Sequence, residues 1–254
     1  MKKHEIAVKW LGQAGFLIKD HRGYSIAVDP YLTDSCERLV GFKRLTPSPV
    51  KPSQLKADLI IATHHHEDHL DMDAVPEMMD GTMAKLAGSQ TAVKICMDAG
   101  IDRERLISLK SGESVNIDSI GIKAVFADHG DMAPDALGIL LDISGIRIYI
   151  TGDTGYTPDK MQDAIKSNPD ILILPINGAY GNLDSAGAAR LAGDTNAEIV
   201  IPCHFWTFKE HGGNPQEFAE MMENNGMGDR VRFLMQGEIF FFNSGRHEKA
   251  CLNS

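Results

Sequence analysis

One short segment of this 254-residue chain, Thr63-His64-His65-His66-Glu67-Asp68-His69-Leu70-Asp71, concentrates groups that bind metal ions. Neutral imidazole and ionised carboxylate are ligands for zinc, manganese or iron. If the chain stays extended, His64 and His66 project the same way, and Asp68 and His69 follow at a turn. Four or five donors in six residues exceed what one tetrahedral site takes from so short a span. The simplest arrangement is two adjacent metals, one on His64 and His66, the other on Asp68 and His69. His65 and Glu67 fall between the donors and read as solvated side chains.

Each metal then needs ligands from elsewhere, and the ends of apolar runs supply candidates. His129 follows Ile120–Phe126, Asp153 follows Ile146–Thr151, and His204 follows Glu198–Pro202. Alone, each has a plainer reading as a buried histidine or a turn former. Together, just past core strands, they suggest loops converging on one edge of a sheet. Asp29 also ends a run, before Pro30, and reads as a carboxylate that orients a ligand histidine. Tyr180, Asn182, Trp206, Lys209 and His211 lie on loops after strands, within reach of a substrate. Lys43 and Arg44, in a Pro-punctuated loop with Lys51 and Lys56, are candidates for an anionic ligand.

The positioning elements follow from hydrophobic pattern. Ile6–Trp10, Phe16–Lys19 and Tyr24–Asp29 read as short strands split by Gly-containing turns. Residues 31–56 read as loop, because Pro47, Pro49 and Pro52 discourage regular structure. Leu59–Ala62 and Ile171–Pro175 are unbroken apolar runs, as in strands buried on both faces. Met83–Leu86, Ile120–Phe126, Leu137–Ile143, Ile146–Thr151, Glu198–Pro202, Val231–Leu234 and Ile239–Phe242 read as further strands. Helices are expected from near Met72, over Ser89–Ala99 with Ser89 as cap, around Pro158–Lys166 behind Thr157, over Ala186–Leu191, and from Pro215 to Gly226. A hairpin-like first third followed by alternating strands and helices predicts two packed sheets with helices outside. The reading is one domain over residues 1–254, with a polar, frayed tail from Gly245.

Composition bounds the function. With 25 Lys+Arg against 35 Asp+Glu, the formal net charge is −10. That balance argues against nucleic acid and anionic membrane surfaces, which need a basic face. Apolar residues at 43% and no run long enough to span a bilayer indicate an ordinary globular chain. The start, Met1-Lys2-Lys3-His4-Glu5, leads into an alternating segment rather than a signal sequence. Cys36, Cys96, Cys203 and Cys251 show no disulfide or metal spacing, so reduced thiols and a cytoplasmic location are expected. A homo-oligomer is compatible with all of this.

The ordered set His64-x-His66-x-Asp68-His69, His129, Asp153 and His204 resembles the metallo-β-lactamase superfamily signature. The likeness runs from Trp10-Leu11-Gly12-Gln13-Ala14-Gly15-Phe16 to the last strands. It implies an α/β fold, a four-layer αββα sandwich with a dinuclear site at one edge. His64, His66 and His129 would bind one metal, Asp68, His69 and His204 the other, with Asp153 between them. Within the superfamily, Trp10-Leu11-Gly12, Ala62 to Asp71, Ile201-Pro202-x-His204-x-x-x-Phe208, and Arg103-Glu104-Arg105 followed by Lys110-x-Gly112-Glu113 are similar to L-ascorbate-6-phosphate lactonases and related metal-dependent hydrolases. The chain departs from the lactonases in being shorter, and its His129 is closer to the wider hydrolase group. The expected activity is hydrolysis by a metal-held hydroxide, with two divalent ions (zinc or manganese, or iron) as cofactors. No Gly-x-Ser-x-Gly nucleophile is present, which favours the metal-held hydroxide as nucleophile, and Asp68 is expected to orient it and to pass its proton to the leaving oxygen. A small, anionic substrate such as a phosphorylated sugar lactone leads. A phosphodiesterase acting on a small nucleotide or lipid headgroup is the enzymatic alternative, and a non-catalytic metal-binding protein the third.

Overall fold

A computed structural model describes residue 1 and residues 4–244. The tail expected to fray, from Gly245 onward, lies outside the described residues. Seven strands form the first sheet. They are Glu5–Gly12 (β1), Gly15–Asp20 (β2), Ser25–Val28 (β3), Leu59–Ala62 (β4), Lys85–Ser89 (β5), Leu106–Leu109 (β6) and, last in the chain, Ile239–Asn243 (β13). Their order is β13-β1-β2-β3-β4-β5-β6. The second sheet holds Ser114–Ile117 (β7), Ile120–Phe126 (β8), Leu137–Ile143 (β9), Ile146–Ile150 (β10), Ile171–Pro175 (β11) and Ile199–Cys203 (β12), in the order β12-β11-β10-β9-β8-β7.

The sequence of β4 shows why the layers stack as they do. Successive strand residues face opposite ways. Leu59 and Ile61 enter the core between the sheets, beside Ile122, Ile139 and Ile148. Ile60 and Ala62 enter a second core beneath helices α2 (Val75–Met79) and α3 (Gln90–Asp98), beside Val75, Met78 and Cys96. A strand covered on both faces must be apolar throughout. Helices α5 (Ser185–Thr195) and α6 (Pro215–Asn224) cover the other sheet, with Ala188, Leu191, Phe218 and Met222 packed into the main core. The result is an αββα sandwich.

Strand direction fixes where the site must be. β3, β4, β5 and β6 run parallel, as do β10, β11 and β12, and β8 runs antiparallel to β9, which is antiparallel to β10. The C-terminal ends of β3, β4, β8, β10 and β12 therefore open on one edge. Asp29, His64 to His69, His129, Asp153 and His204 each follow one of those ends.

Several expectations need correction. Residues 31–56 are not all loop: Ser35–Val40 forms a short helix (α1), and Pro52–Gln54 one 3-10 turn. Six residues are too few for a helical period to stand out, and α1 is held by burying Ser35 and Cys36. Val231–Leu234 is not a strand; only Val231 bridges to Val200. The expected helix at Pro158–Lys166 contracts to Gln162–Ile165 (α4), and the Thr157 hydroxyl caps nothing. Strands β6 and β7 add to the expected set; they lie at the sheet edges and each buries only its last residue, Leu109 and Ile117, which leaves little hydrophobic pattern to read. By contrast Ser89 caps α3 through the Ala92 amide, and Asn214 caps α6 through the Glu217 amide.

Candidate metal centre

The segment after β4 is anchored before it presents any donor. Asp29, fully buried and in the left-handed region at φ 45°, accepts from the Thr63 amide at 2.8 Å on Oδ1 and from the Thr63 hydroxyl at 2.7 Å on Oδ2. The same Oδ2 lies 2.8 Å from His69 Nδ1. Buried Asp71 accepts from the amides of Leu32 and Thr33 at 2.9 and 2.8 Å, tying the loop after β3 to the segment. Between these anchors the chain turns, with the amides of His69 and Leu70 both donating to the His66 carbonyl. A left-handed non-glycine residue costs of order 1–3 kcal/mol. Gln13, Asp29, Tyr180, His204 and Trp206, all around this edge, adopt that conformation.

Seven side chains converge from the strand ends. His64 Nε2 lies 3.0 Å from His66 Nδ1, and His129 Nε2 3.3 Å from the same atom. His69 Nε2 and His204 Nε2 face each other at 3.3 Å, each 3.2 Å from Asp153 Oδ1. Asp68 Oδ2 is 3.3 Å from His204 Nε2 and 3.7 Å from His69 Nε2. Their donor atoms form three overlapping groups, each within 4.8 Å: His64/His66/His129, His64/His69/Asp153 and Asp68/His69/His204.

The chemistry of this set fits cations. Two imidazole nitrogens facing each other can share one proton at most, so further lone pairs point at each other. Asp153 Oδ1 takes no hydrogen bond despite its two imidazole neighbours. Electrostatics agree. Burial holds His64 well below its ordinary value, helped by the charge of His69, and takes His129 down to about 4. Burial opposes charge on Asp68 and Asp153 too, yet His69 and His204 keep both carboxyls far below the usual range. Reciprocally, burial is outweighed at His204, which Asp153 lifts to about 9, and at His69, which is raised as well. Protons on both rings would set N–H against N–H, so that positive charge stands where a metal ion would sit.

A cavity of about 180 Å³ opens above the cluster. His66, Asp68, His129, Asp153 and His204 form its floor; Cys36, Val40, Phe42, Glu67, Met132, Tyr180 and His211 form its walls, with no Lys or Arg among them. Of the residues expected to meet substrate, Tyr180 and His211 line the cavity. The others are placed elsewhere. Arg44 is buried, donating to the carbonyls of Tyr31, Thr33 and Thr46 and stacked over the Tyr31 ring at 4.5 Å. Lys43 points to solvent beside Glu37 at 3.6 Å. Lys209 is exposed. Trp206 is also exposed, its Nε1 donating to the Gly213 carbonyl. Asn182 sits behind the cluster and donates to Asp153 Oδ2 at 2.8 Å.

Two residues matter more than the sequence suggested. Gln13, in the turn between β1 and β2, is fully buried and places Nε2 2.7 Å from Asp68 Oδ2 and 2.9 Å from His211 Nδ1. His211 stacks on His204, with ring centres 4.8 Å apart and planes 3° from parallel. Burial, then the charge of His204, lowers its pKa to about 4. The available signal for Gln13 was a polar residue in a tight turn, at the end of β1 that reaches the site.

Known proteins match this arrangement. The sequence profile described as "Beta-lactamase superfamily domain" matches residues 7–204. A UPF0173 metal-dependent hydrolase of Hyperthermus butylicus is 30% identical over 92% of this chain and 99% of its own length. Another, from Thermoplasma acidophilum, is 32% identical over 85% of this chain and 90% of its own. The solved structure of Igni18, a metallo hydrolase from Ignicoccus hospitalis, superposes with a TM-score of 0.78 at 26% identity, covering 94% of this chain and 99% of that one. Profile, relatives and sandwich agree with the donor set at the strand ends: the chain belongs to the metallo-β-lactamase superfamily, among its metal-dependent hydrolases.

Proposed function

We propose that the chain is a dinuclear hydrolase that opens small, uncharged lactones or esters. The observation that carries this reading is the cavity over the donor cluster, walled by apolar and aromatic side chains together with Glu67, and lined by no Lys or Arg. A phosphorylated lactone would need a cation for its phosphate. Arg44 is committed to backbone carbonyls and Lys43 faces away, so the phosphate half of the sequence-level expectation loses its support.

His64, His66 and His129 would hold one divalent ion, and Asp68, His69 and His204 a second, with Asp153 reaching both. A bound pair of such ions lowers the pKa of water and polarises a carbonyl oxygen. The chain's own groups do the remainder. Asp29 accepts at His69 Nδ1, which keeps the lone pair on Nε2 facing inward. Asn182 fixes Oδ2 of Asp153, and Gln13 fixes Oδ2 of Asp68. Asp68, at the floor of the cavity, is placed to take a proton from the attacking water and pass it to the departing oxygen.

The test combines elemental metal analysis with a substrate panel. About two divalent ions per chain are expected, with turnover of neutral lactones and esters above that of 6-phosphogluconolactone and bis-p-nitrophenyl phosphate. Asp68→Asn should keep most of the fold and much of the metal and lower kcat by about 10²–10⁴-fold. A single ion per chain would end the dinuclear reading. Preference for the phosphodiester would favour the alternative enzyme, and silence toward every substrate at full metal load the non-catalytic protein.

A further inference from the structure

Beside the donor cluster the cavity has an aromatic wall, and the His211 ring is part of it. The His211 ring meets Phe42 edge-on at 5.5 Å, Tyr180 at 5.4 Å and His204 face to face. Its Nδ1 lies 2.9 Å from Gln13 Nε2. The orientation of that amide is set by Asp68: Nε2 lies 2.7 Å from a carboxylate oxygen, and the reversed amide would press oxygen against oxygen. An amide nitrogen only donates, and it has two hydrogens, one of which meets Asp68. His204 Nε2, 3.0 Å away, is turned to the carboxylates of Asp68 and Asp153. The other hydrogen therefore meets Nδ1 of His211, so that in the neutral ring the hydrogen is on Nε2.

Gln13 itself is held rigidly. Its backbone is left-handed at φ 52°, its amide donates to the Thr207 hydroxyl at 3.0 Å, and its carbonyl accepts from the His204 amide and the Trp10 ring, both at 3.0 Å. Among the described residues nothing accepts from His211 Nε2, although the ring lines the cavity. The outcome is one oriented N–H donor in an aromatic wall beside the cluster. Val40, Met132 and Tyr180, at the cavity, are exposed apolar side chains. A donor of this kind recognises an oxygen atom, and its surroundings recognise a flat apolar group.

We propose that His211, its tautomer set by Gln13, holds the substrate, donating from Nε2 to an oxygen of a neutral ester or lactone whose aromatic or apolar ring lies against Phe42 and Tyr180. The inference rests on the hydrolase reading above and narrows its substrate class. His211 is a substrate-binding residue and Gln13 the residue that positions it.

Two probes separate the inference from that reading: 3,4-dihydrocoumarin, a neutral aromatic lactone, and 2-tetralone, its ketone counterpart, which has no bond to hydrolyse. Calorimetry should show 2-tetralone binding to the full chain. His211→Phe, which keeps the ring and removes the donor, should weaken that binding about three- to tenfold. His211→Gln, whose amide nitrogen replaces Nε2–H, should restore it, with metal content equal in all three proteins. The KM for dihydrocoumarin should follow the same order while kcat stays within about twofold. Equal binding by the phenylalanine variant, no binding of 2-tetralone by the unaltered chain, or loss of metal alongside affinity would each overturn the assignment. Binding that depends on His211 without turnover of dihydrocoumarin would remove the hydrolase reading and leave the inference standing. Turnover with binding unchanged in the phenylalanine variant would do the reverse.

Discussion

Both oxygens of Asp29 are occupied, Oδ1 by the Thr63 amide and Oδ2 by the Thr63 hydroxyl and the His69 ring. Asn at this position keeps the shape but offers one acceptor in place of two. Either a Thr63 donor or His69 Nδ1–H would then face an NH₂ group. Asp29→Asn should therefore weaken metal binding about 10–100-fold, measured by competition against a chromogenic chelator, with the fold retained. Unchanged affinity would show that His69 needs no carboxylate behind it. Asp29 could be singled out in the sequence because it closes an apolar run, as the other candidate donors do. Gln13 was not, since its partners Asp68 and His211 are 55 and 198 residues away in the chain. Arg44 misled for the opposite reason: its charge is plain in the sequence, but the three carbonyls that absorb it are set by tertiary structure.

At the scale of elements, donors arrive where strands stop, and the stops are shaped by close backbone approach. Gly152, between the end of β10 and Asp153, has φ 62°, and a Cβ there would lie 2.7 Å from the Leu137 carbonyl oxygen. Gly152→Ala should cost about 1–3 kcal/mol of stability and displace Asp153. Thermal unfolding together with metal content would register both effects. A variant with the Tm and metal load of the unaltered chain would show that the turn relaxes freely. This is also where sequence reading worked best. Runs such as Leu59–Ala62 and Ile171–Pro175 need two covered faces, so their place in a sandwich follows from composition alone. Edge strands β6 and β7, and α1 inside a proline-rich stretch, take their form from neighbours distant in sequence. Yet α1 and Phe42 just beyond it form a cavity wall, so the least legible segment shapes specificity.

For the molecule as a whole, the cluster couples stability to pH in a direction that depends on metal. Without metal, His204 has its pKa raised from 6.5 to about 9. Its contribution is complete below pH 6.5 and is lost as pH rises through 9. His129 is lowered to about 4, so its contribution is complete above pH 6.5 and is lost as pH falls toward 4. A metal ion replaces the proton on the His204 side, so the loaded protein escapes the alkaline loss. The Tm difference between loaded and metal-free protein should widen from pH 6.5 to pH 9. Scanning calorimetry of both forms across that range would check it, and a difference independent of pH would remove the proton–metal exchange.

The donors are divided between the sheets, His64 to His69 beyond the first, His129, Asp153 and His204 beyond the second, and His69 and His204 lie 135 residues apart. That division also imposes an order in time. A chain made from its N-terminus displays four histidines between residues 64 and 69 long before His204 exists. Throughout that interval the nascent polypeptide carries half a site, and only the last strands of the second sheet can turn it into a whole one.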